Sequence, residues 1–194
     1  MLNPEPVVHA TTSIGEGVVI WAGTQIRENA VIGDRTSIGQ YCYVGPGVHI
    51  GQDCKIQNQA LIYEPAVLGD GVFIGPRVVI TNDLNPRAIN PDGSQKSASD
   101  WHAQAATIEN GASLGAGVIC VGPIVIGQWS MVAAGSVVVK DVPAHALVAG
   151  IPARQIGWVG TAGVRLIVDG ERFRCPSTGK YFEVTAQGLL VNCD

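Results

Sequence analysis

Ile26-Arg-Glu-Asn-Ala-Val-Ile32-Gly-Asp-Arg-Thr-Ser-Ile38-Gly-Gln-Tyr-Cys-Tyr-Val44 carries an aliphatic residue at every sixth position. The series continues in both directions, from Val8, Ile14 and Ile20 to Ile50, Ile56, Ile62, Leu68, Ile74 and Ile80. A fixed period held over this length marks a repeat architecture. Four residues after each aliphatic stands a small or β-branched residue, among them Thr24, Ala30, Thr36, Cys42, Val48 and Cys54. That residue and the next aliphatic are two apart, so in an extended segment they share a face. Each hexad is one short strand plus one corner, with two side chains turned inward. A helix would need a spacing of about 3.6 residues, and this much Gly and β-branching opposes one. Stacked coils bury a continuous core that no single repeat could bury alone. Gly often follows the aliphatic residue (Gly15, Gly33, Gly39, Gly45, Gly51, Gly69, Gly75), and positive φ at a tight corner is its expected use.

Beyond Ile80 the period lapses. Thr81 to Thr107 is rich in Asn, Pro, Asp, Ser and Gly and reads as a long loop thrown out from the column. Long loops in compact domains are often functional. The period resumes at Ile108, Leu114, Cys120, Ile126, Val132 and Val138. A column over residues 8–140 with a loop at 81–107 follows. In the next segment, 141–158, Pro143 and Pro152 are expected to end the repeat and cap its open end. Residues 159–194 have a different texture and read as a small hairpin-like β tail, with Arg165-Leu-Ile-Val and Lys180-Tyr-Phe-Glu-Val as strands. Cys175-Pro-Ser-Thr-Gly between them reads as a β-turn. A zinc site needs a second close Cys pair, and only the distant Cys193 is available.

The length of 194 residues suits one domain with a small appendage. The formal charge of -4 and the lack of a basic run argue against nucleic-acid binding. The first residues show no secretory signal, and no apolar run is long enough to span a bilayer. Cys42, Cys54 and Cys120 fall on inward positions and read as small reduced hydrophobes. A cytoplasmic location fits these features.

The residue before each inward aliphatic faces out. With three hexads per coil, Gln25, Tyr43, Leu61 and Val79 form one outward column, and Val31, His49 and Val67 the next. Later coils turn out Ser113, Ile119, Val125, Met131 and Val137. That much exposed apolar surface points to a subunit interface, with partial cover by the loop and tail as the alternative.

The pattern resembles the hexapeptide repeats of the left-handed parallel β-helix, an all-β fold. The resemblance implies the left hand, although parallel crossovers are normally right-handed. It also implies a homotrimer of three prisms with clefts between them. One branch of this fold hydrates carbon dioxide at a zinc held by three His, using a His pair five residues apart. His9, His49, His102 and His145 supply no such pair, so no metal is expected. The commoner branch transfers an acyl group from coenzyme A. Leu114-Gly-Ala116-Gly117, Ala133-Ala134-Gly135-Ser136, Lys140 and Ile151-Pro-Ala-Arg154 resemble that branch's coenzyme A region. Lys140 and Arg154 suit phosphate groups, or are solvated end-cap charges.

Ile56-Gln-Asn-Gln-Ala-Leu-Ile-Tyr63-Glu64, Val79-Ile-Thr-Asn82-Asp83-Leu-Asn-Pro-Arg87-Ala and Leu147-Val-Ala-Gly-Ile-Pro-Ala-Arg-Gln-Ile-Gly-Trp158 are together similar to bacterial N-acetyltransferases of nucleotide-linked 3-amino sugars. The type implied acetylates the 3-amino group of UDP-2-acetamido-3-amino-2,3-dideoxy-glucuronate with acetyl-CoA, for surface polysaccharide. The Thr-Asn-Asp-x-x-Pro-Arg element is shared with acetylases of dTDP-linked 3-amino sugars. The resemblance covers residues 8 to about 158 and leaves the tail open. It implies that the Asn82 side chain orients the sugar amine. Asn takes no proton at neutral pH, so its task is positioning; its alternative is a turn residue. Tyr63, Glu64, Asp83 and Arg87 are the remaining acceptor candidates. Asp83 binds the amine or braces the loop, and Arg87 pairs with an acidic group of the acceptor or with Asp83. His102 is the rival general base. Acceptors such as serine or a simple sugar, and a non-catalytic β-helix scaffold, are the competing readings.

Overall fold

The computed structural model describes residues 4–185 and 190–193. The N-terminal residues 1–3, on which the reading of no secretory signal partly rests, and tail positions 186–189 and 194 lie outside the described set.

The sixfold period becomes a three-sided column of parallel strands, most of them two residues long. The first face stacks Val7–Val8, Gln25–Ile26, Tyr43–Val44, Leu61–Ile62, Val79–Thr81, Ile119–Val121 and Val137–Val138. The second stacks Ser13–Ile14, Val31–Ile32, His49–Ile50, Val67–Leu68, Ala106–Ile108 and Ile124–Ile126. The third runs from Val19–Ile20 through Ser37–Ile38, Lys55–Ile56, Phe73–Ile74, Ser113–Leu114 and Met131–Val132 to Ala146–Gly150. The pairing register is eighteen residues (Ile26 on Val44, Ile32 on Ile50, Ile38 on Ile56), so three hexads make one coil. The outward columns follow the expected order.

Ile26, Ile32, Ile38, Ile50, Ile56 and their successors are fully buried in one continuous core. Each such side chain contributes about 1.5–3 kcal/mol over its exposed state. Thr24 and Thr36 are buried too, because both hydroxyl functions are used. Thr36 Oγ1 donates to Gly51 O at 2.8 Å and accepts Cys54 N–H at 3.0 Å. Cys120 behaves as the small hydrophobe expected; burial pushes its thiol up to about 12.

The corner glycines work differently from expectation. Gly15, Gly33 and their equivalents are not the positive-φ residues. Those stand two positions later and include Arg35 (φ 57°), Tyr41 (φ 56°) and Asp53 (φ 57°). Gly is instead needed where the next coil passes over the corner. A Cβ on Gly33 would lie 2.5 Å from Gln52 N, and one on Gly75 2.6 Å from Ala116 N. The absence of a side chain, not backbone freedom, is what these corners require.

Pro143 does not end the winding, whereas Pro152 stands at the reversal where it stops. Val142 bridges in parallel to Ile126, and Gly127 N–H donates to Val142 O at 2.8 Å. Ala146 and Val148 enter the core, and Ala146–Gly150 pairs in parallel with Met131–Val132. Pro143 takes the corner position whose N–H bonds the next coil elsewhere in the column; it fits because no further coil stacks on the second face among the described residues. Winding stops at Gly150 (φ 101°), after which Ala153–Trp158 runs back antiparallel.

The tail is larger than a hairpin. Ile167–Asp169, Arg172–Arg174, Tyr181–Val184 and Leu190–Asn192 form a four-stranded antiparallel sheet. Leu166, Cys175, Phe182 and Leu190 give it a core of its own, with Trp158 packed against it. Cys175 sits in a turn closed by Gly179 N–H to Cys175 O at 2.9 Å. No group of three or more metal-ligating side chains occurs among the described residues. The segment before this sheet lies over the third face: Gly160, Thr161, Ala162 and Gly163 line one small cavity with Ser113 and Met131. Partial cover by the tail is thus real on that face. Val67, Phe73, Ile119 and Val125 remain 38–43% exposed.

Candidate active site

Each corner of the column stacks residues one coil apart, eighteen in sequence or forty across the loop, and two of the corners are stapled. The side chain two positions after an inward aliphatic accepts the amide of its equivalent one coil below. Asp34 Oδ1 takes Glu16 N–H (2.8 Å), Asp70 Oδ1 takes Gln52 N–H (3.0 Å) and Asn110 Oδ1 takes Asp70 N–H (2.9 Å) between the second and third faces. Asn58 Oδ1 takes Gln40 N–H (2.9 Å) between the third and first.

The corner between the first and second faces is different. Its equivalent residues are Glu28, Pro46, Glu64 and Asn82. Glu64 reaches the stapling position over Gly45, but the residue below is Pro46, which has no N–H. Glu64 Oε2 is therefore buried without a hydrogen-bond partner among the described residues. Asn82, one coil higher, makes no side-chain hydrogen bond among the described residues. Its carbonyl accepts Gln104 N–H at 2.8 Å, which ties the two ends of the loop together. The ordinary turn role of Asn, a side chain bonded to nearby backbone, is taken by its neighbour: Asp83 Oδ1 accepts Asn85 N–H at 2.8 Å.

Beside the expected Tyr63, the same corner carries Arg27, Glu28 and Tyr43, which were not among the expected site residues. Arg27 and Glu28 form an ion pair at 2.8 Å. The Tyr43 and Tyr63 rings lie 5.2 Å apart. Burial raises the Tyr43 phenol above its usual range, and the Glu64 charge adds to the rise while Arg27 opposes it. The eighteen-residue spacing alone was enough to place these side chains in one neighbourhood with Asn82.

Above the corner the loop encloses a cavity of about 380 Å³ lined by Asp83, Lys96, Asp100, Trp101, His102 and Gln104, among others. A three-residue 3₁₀ turn, Ala98–Asp100, shapes its wall, with Asp100 accepting both the amide (2.7 Å) and hydroxyl (2.8 Å) of Ser97. These bonds hold the Asp100 carboxyl below its usual range. His102 is exposed on this cavity. Arg87 is exposed and donates to Pro86 O at 3.0 Å; among the described residues it forms no ion pair with Asp83.

The coenzyme candidates divide. Lys140 and Arg154 line one cavity of about 280 Å³ at the open end, with Asp141 and Gln155. Asp141 is engaged by Val125 N–H at 2.8 Å, and neither cation makes an ion pair among the described residues. Ala116, Ala134 and Gly135 stack at the corner between the third and first faces, where Gly135 N–H donates to Ala116 O at 2.8 Å. Asn82 and these residues thus border the same face on opposite edges. The four residues Val118 to Val121 lie between them, five extended steps or about 17 Å.

A model of bacterial transferase hexapeptides (six repeats) matches residues 11–46 and 47–82, and a model of the hexapeptide repeat of succinyl-transferase matches 105–140. The matched segments skip the loop and together take in more than half of the chain. The chain belongs to the hexapeptide-repeat transferase family.

Among curated relatives, serine acetyltransferase 4 of Arabidopsis thaliana is 45% identical over 93 residues, 48% of this chain and 24% of its own length. A dTDP-3-amino-3,6-dideoxy-alpha-D-galactopyranose 3-N-acetyltransferase of Aneurinibacillus thermoaerophilus is 36% identical over 86 residues, 43% of this chain and 45% of the relative. The hexapeptide chain therefore spans less than half the length of either relative. Of solved structures, an N-acyltransferase mutant from Bacillus cereus, in complex with dTDP-4-amino-4,6-dideoxyglucose and coenzyme A, superposes with a TM-score of 0.66 at 22% identity. The match covers 76% of this chain and 83% of that one. A hexapeptide transferase family protein from Anaplasma phagocytophilum gives 0.59 at 23% identity, over 81% of both chains. At these identities the likeness is one of fold.

Proposed function

We propose that this hexapeptide chain is an acetyl-CoA-dependent N-acetyltransferase of a nucleotide-linked 3-amino sugar, of the UDP-2-acetamido-3-amino-2,3-dideoxy-glucuronate kind used for surface polysaccharide. The observation that carries the reading is the unstapled corner. At the base of the loop cavity, Asn82 makes no side-chain hydrogen bond among the described residues, where its counterparts Asp34, Asn58, Asp70 and Asn110 spend a side-chain oxygen on structure. The Aneurinibacillus relative, which by its name acetylates a 3-amino sugar on dTDP, supports the acceptor class.

In this reading Asn82 accepts a hydrogen bond from the sugar amine and holds it in line with the thioester carbonyl. Asp83 braces the loop, and Trp101 and Lys96 present a ring and a cation to the nucleotide. Lys140 and Arg154 take the phosphates of acetyl-CoA as charge-assisted pairs. A corner amide of the later coils stabilises the oxyanion. The two halves border opposite edges of one face, so a homotrimer assembles the site by setting one chain's loop edge against the next chain's Ala134–Gly135 edge. The exposed apolar residues Ile119 and Val125 suit that packing, and a cytoplasmic enzyme suits both substrates.

The serine acetyltransferase matches favour a second reading, acyl transfer to serine. One assay divides the two. Free thiol is followed as acetyl-CoA is offered with UDP- and dTDP-amino sugars, serine and simple sugars. Thiol release with a nucleotide amino sugar is the expected result. Release with serine alone selects the second reading, and release with none returns the scaffold.

A further inference from the structure

We infer that the Glu64 carboxylate is the anchor that collects the acceptor by its ammonium group. The inference rests on the amine-acetylation reading and adds the residue that selects an amine over a hydroxyl. Pro46 deprives Glu64 of the amide its equivalents Asp34 and Asp70 accept, so Oε2 is buried without a hydrogen-bond partner among the described residues. The geometry is otherwise kept: the carboxylate still sits over Gly45, where a Cβ would collide with it. A buried acceptor without its bond is costly, and the cost is recovered when a donor arrives.

Location favours the acceptor as that donor. Ile62 pairs with Ile80, so Glu64 lies one coil, about 4.8 Å, from the level of Asn82. The charged and titratable groups around it are Tyr43, Tyr63 and the Arg27–Glu28 pair. Arg27 is held by Glu28 through two bonds, of 2.8 and 3.0 Å, and Glu64 makes no ion pair among the described residues. A primary amine at neutral pH is an ammonium and supplies both the charge and the N–H. Glu64 then collects the ammonium from below. The amine gives up a proton to water before it attacks the thioester carbon, and Asn82 aligns it from above. The coenzyme A thiolate that leaves is reprotonated from water.

The test compares wild type, Glu64→Gln and Pro46→Ala in the thiol-release assay, with the best nucleotide amino sugar as the variable substrate. Wild-type KM for that acceptor is expected to climb as pH passes the amine's own pKa and the ammonium is lost. Glu64→Gln should raise KM roughly 10- to 100-fold at neutral pH, remove that pH dependence, and leave kcat within about threefold. Pro46→Ala restores an amide under Glu64. Its crystal structure should show the new backbone N–H at position 46 bonded to Glu64 Oε2, with KM raised although Glu64 is intact. Unchanged KM and pH dependence in Glu64→Gln, with an active wild type, overturns the anchor alone. A wild type that releases no thiol with any amine overturns the acetyltransfer reading, and the anchor with it.

Discussion

Two kinds of corner glycine make opposite demands at the residue scale. Gly33 lies under the next coil, whereas Gly47 has φ 64° and nothing within 4 Å of where its Cβ would be. Gly33→Ala must push two coils apart and should cost more than about 2 kcal/mol in denaturant unfolding. Gly47→Ala pays only for left-handed backbone, about 1 kcal/mol. Equal costs would show that the close approach is not what selects Gly. Asn82 and His102 are separable in the same spirit. Asn82→Ala should lower kcat/KM by at least about tenfold without moving the melting temperature, because the side chain has no structural partner to lose. His102→Ala should leave activity within about threefold. Loss of activity in the His102 variant alone would transfer the chemistry to that imidazole.

The hexad strands, the loop and the tail differ sharply in what holds them as elements. A two-residue strand has no stability by itself and survives because its inward side chain touches the coils above and below. Ile56 is 1% exposed at mid-column, so Ile56→Ala should cost about 2–5 kcal/mol and lower the single cooperative transition. The tail sheet hangs on fewer contacts. His145 is half-buried, its Nδ1 lies 3.0 Å from Val159 O, and its ring is 6.2 Å from Phe182. Burial lowers its pKa below 6.5, partly offset by the bond to Val159 O. The unfolded chain therefore takes up the proton first. Stability is full above pH 6.5 and declines as pH falls from there through the lower folded value. The melting temperature of wild type should drop across that window, and that of His145→Asn, which tolerates the same left-handed backbone, should drop less. Parallel curves would remove His145 from the account.

The whole molecule leaves Val67, Phe73, Ile119 and Val125 facing out, with nothing among the described residues to cover them fully. Light scattering should return three times the 20.2 kDa chain mass. Substituting Ile119 and Val125 by Asp should yield monomers that keep the column's β circular dichroism but lose activity, since the loop edge and the Ala134–Gly135 edge then never meet. An active monomer would place both halves of the site within one chain. Acetyl-CoA should raise the melting temperature of the trimer, and Lys140→Ala should blunt the effect.

The column was legible in the sequence because its rule is local. Ile26, Ile32 and Ile38 each enter the core through a period that any window of a few hexads displays. That period also sets the eighteen-residue register, hence which side chains share an edge. Three things were decided only in three dimensions. The corner Gly is chosen by the coil above it, not by its own φ, so local turn chemistry misled. Pro143 looked like a terminator, yet the winding passes through it, because no coil stacks above it on that face to need its amide. Resemblance singled out Glu64 and Asn82, but gave no structural reason for either. For Glu64 the reason is a bond that Pro46, eighteen residues before it, cannot donate, and a missing partner shows only when the neighbouring coil is in place.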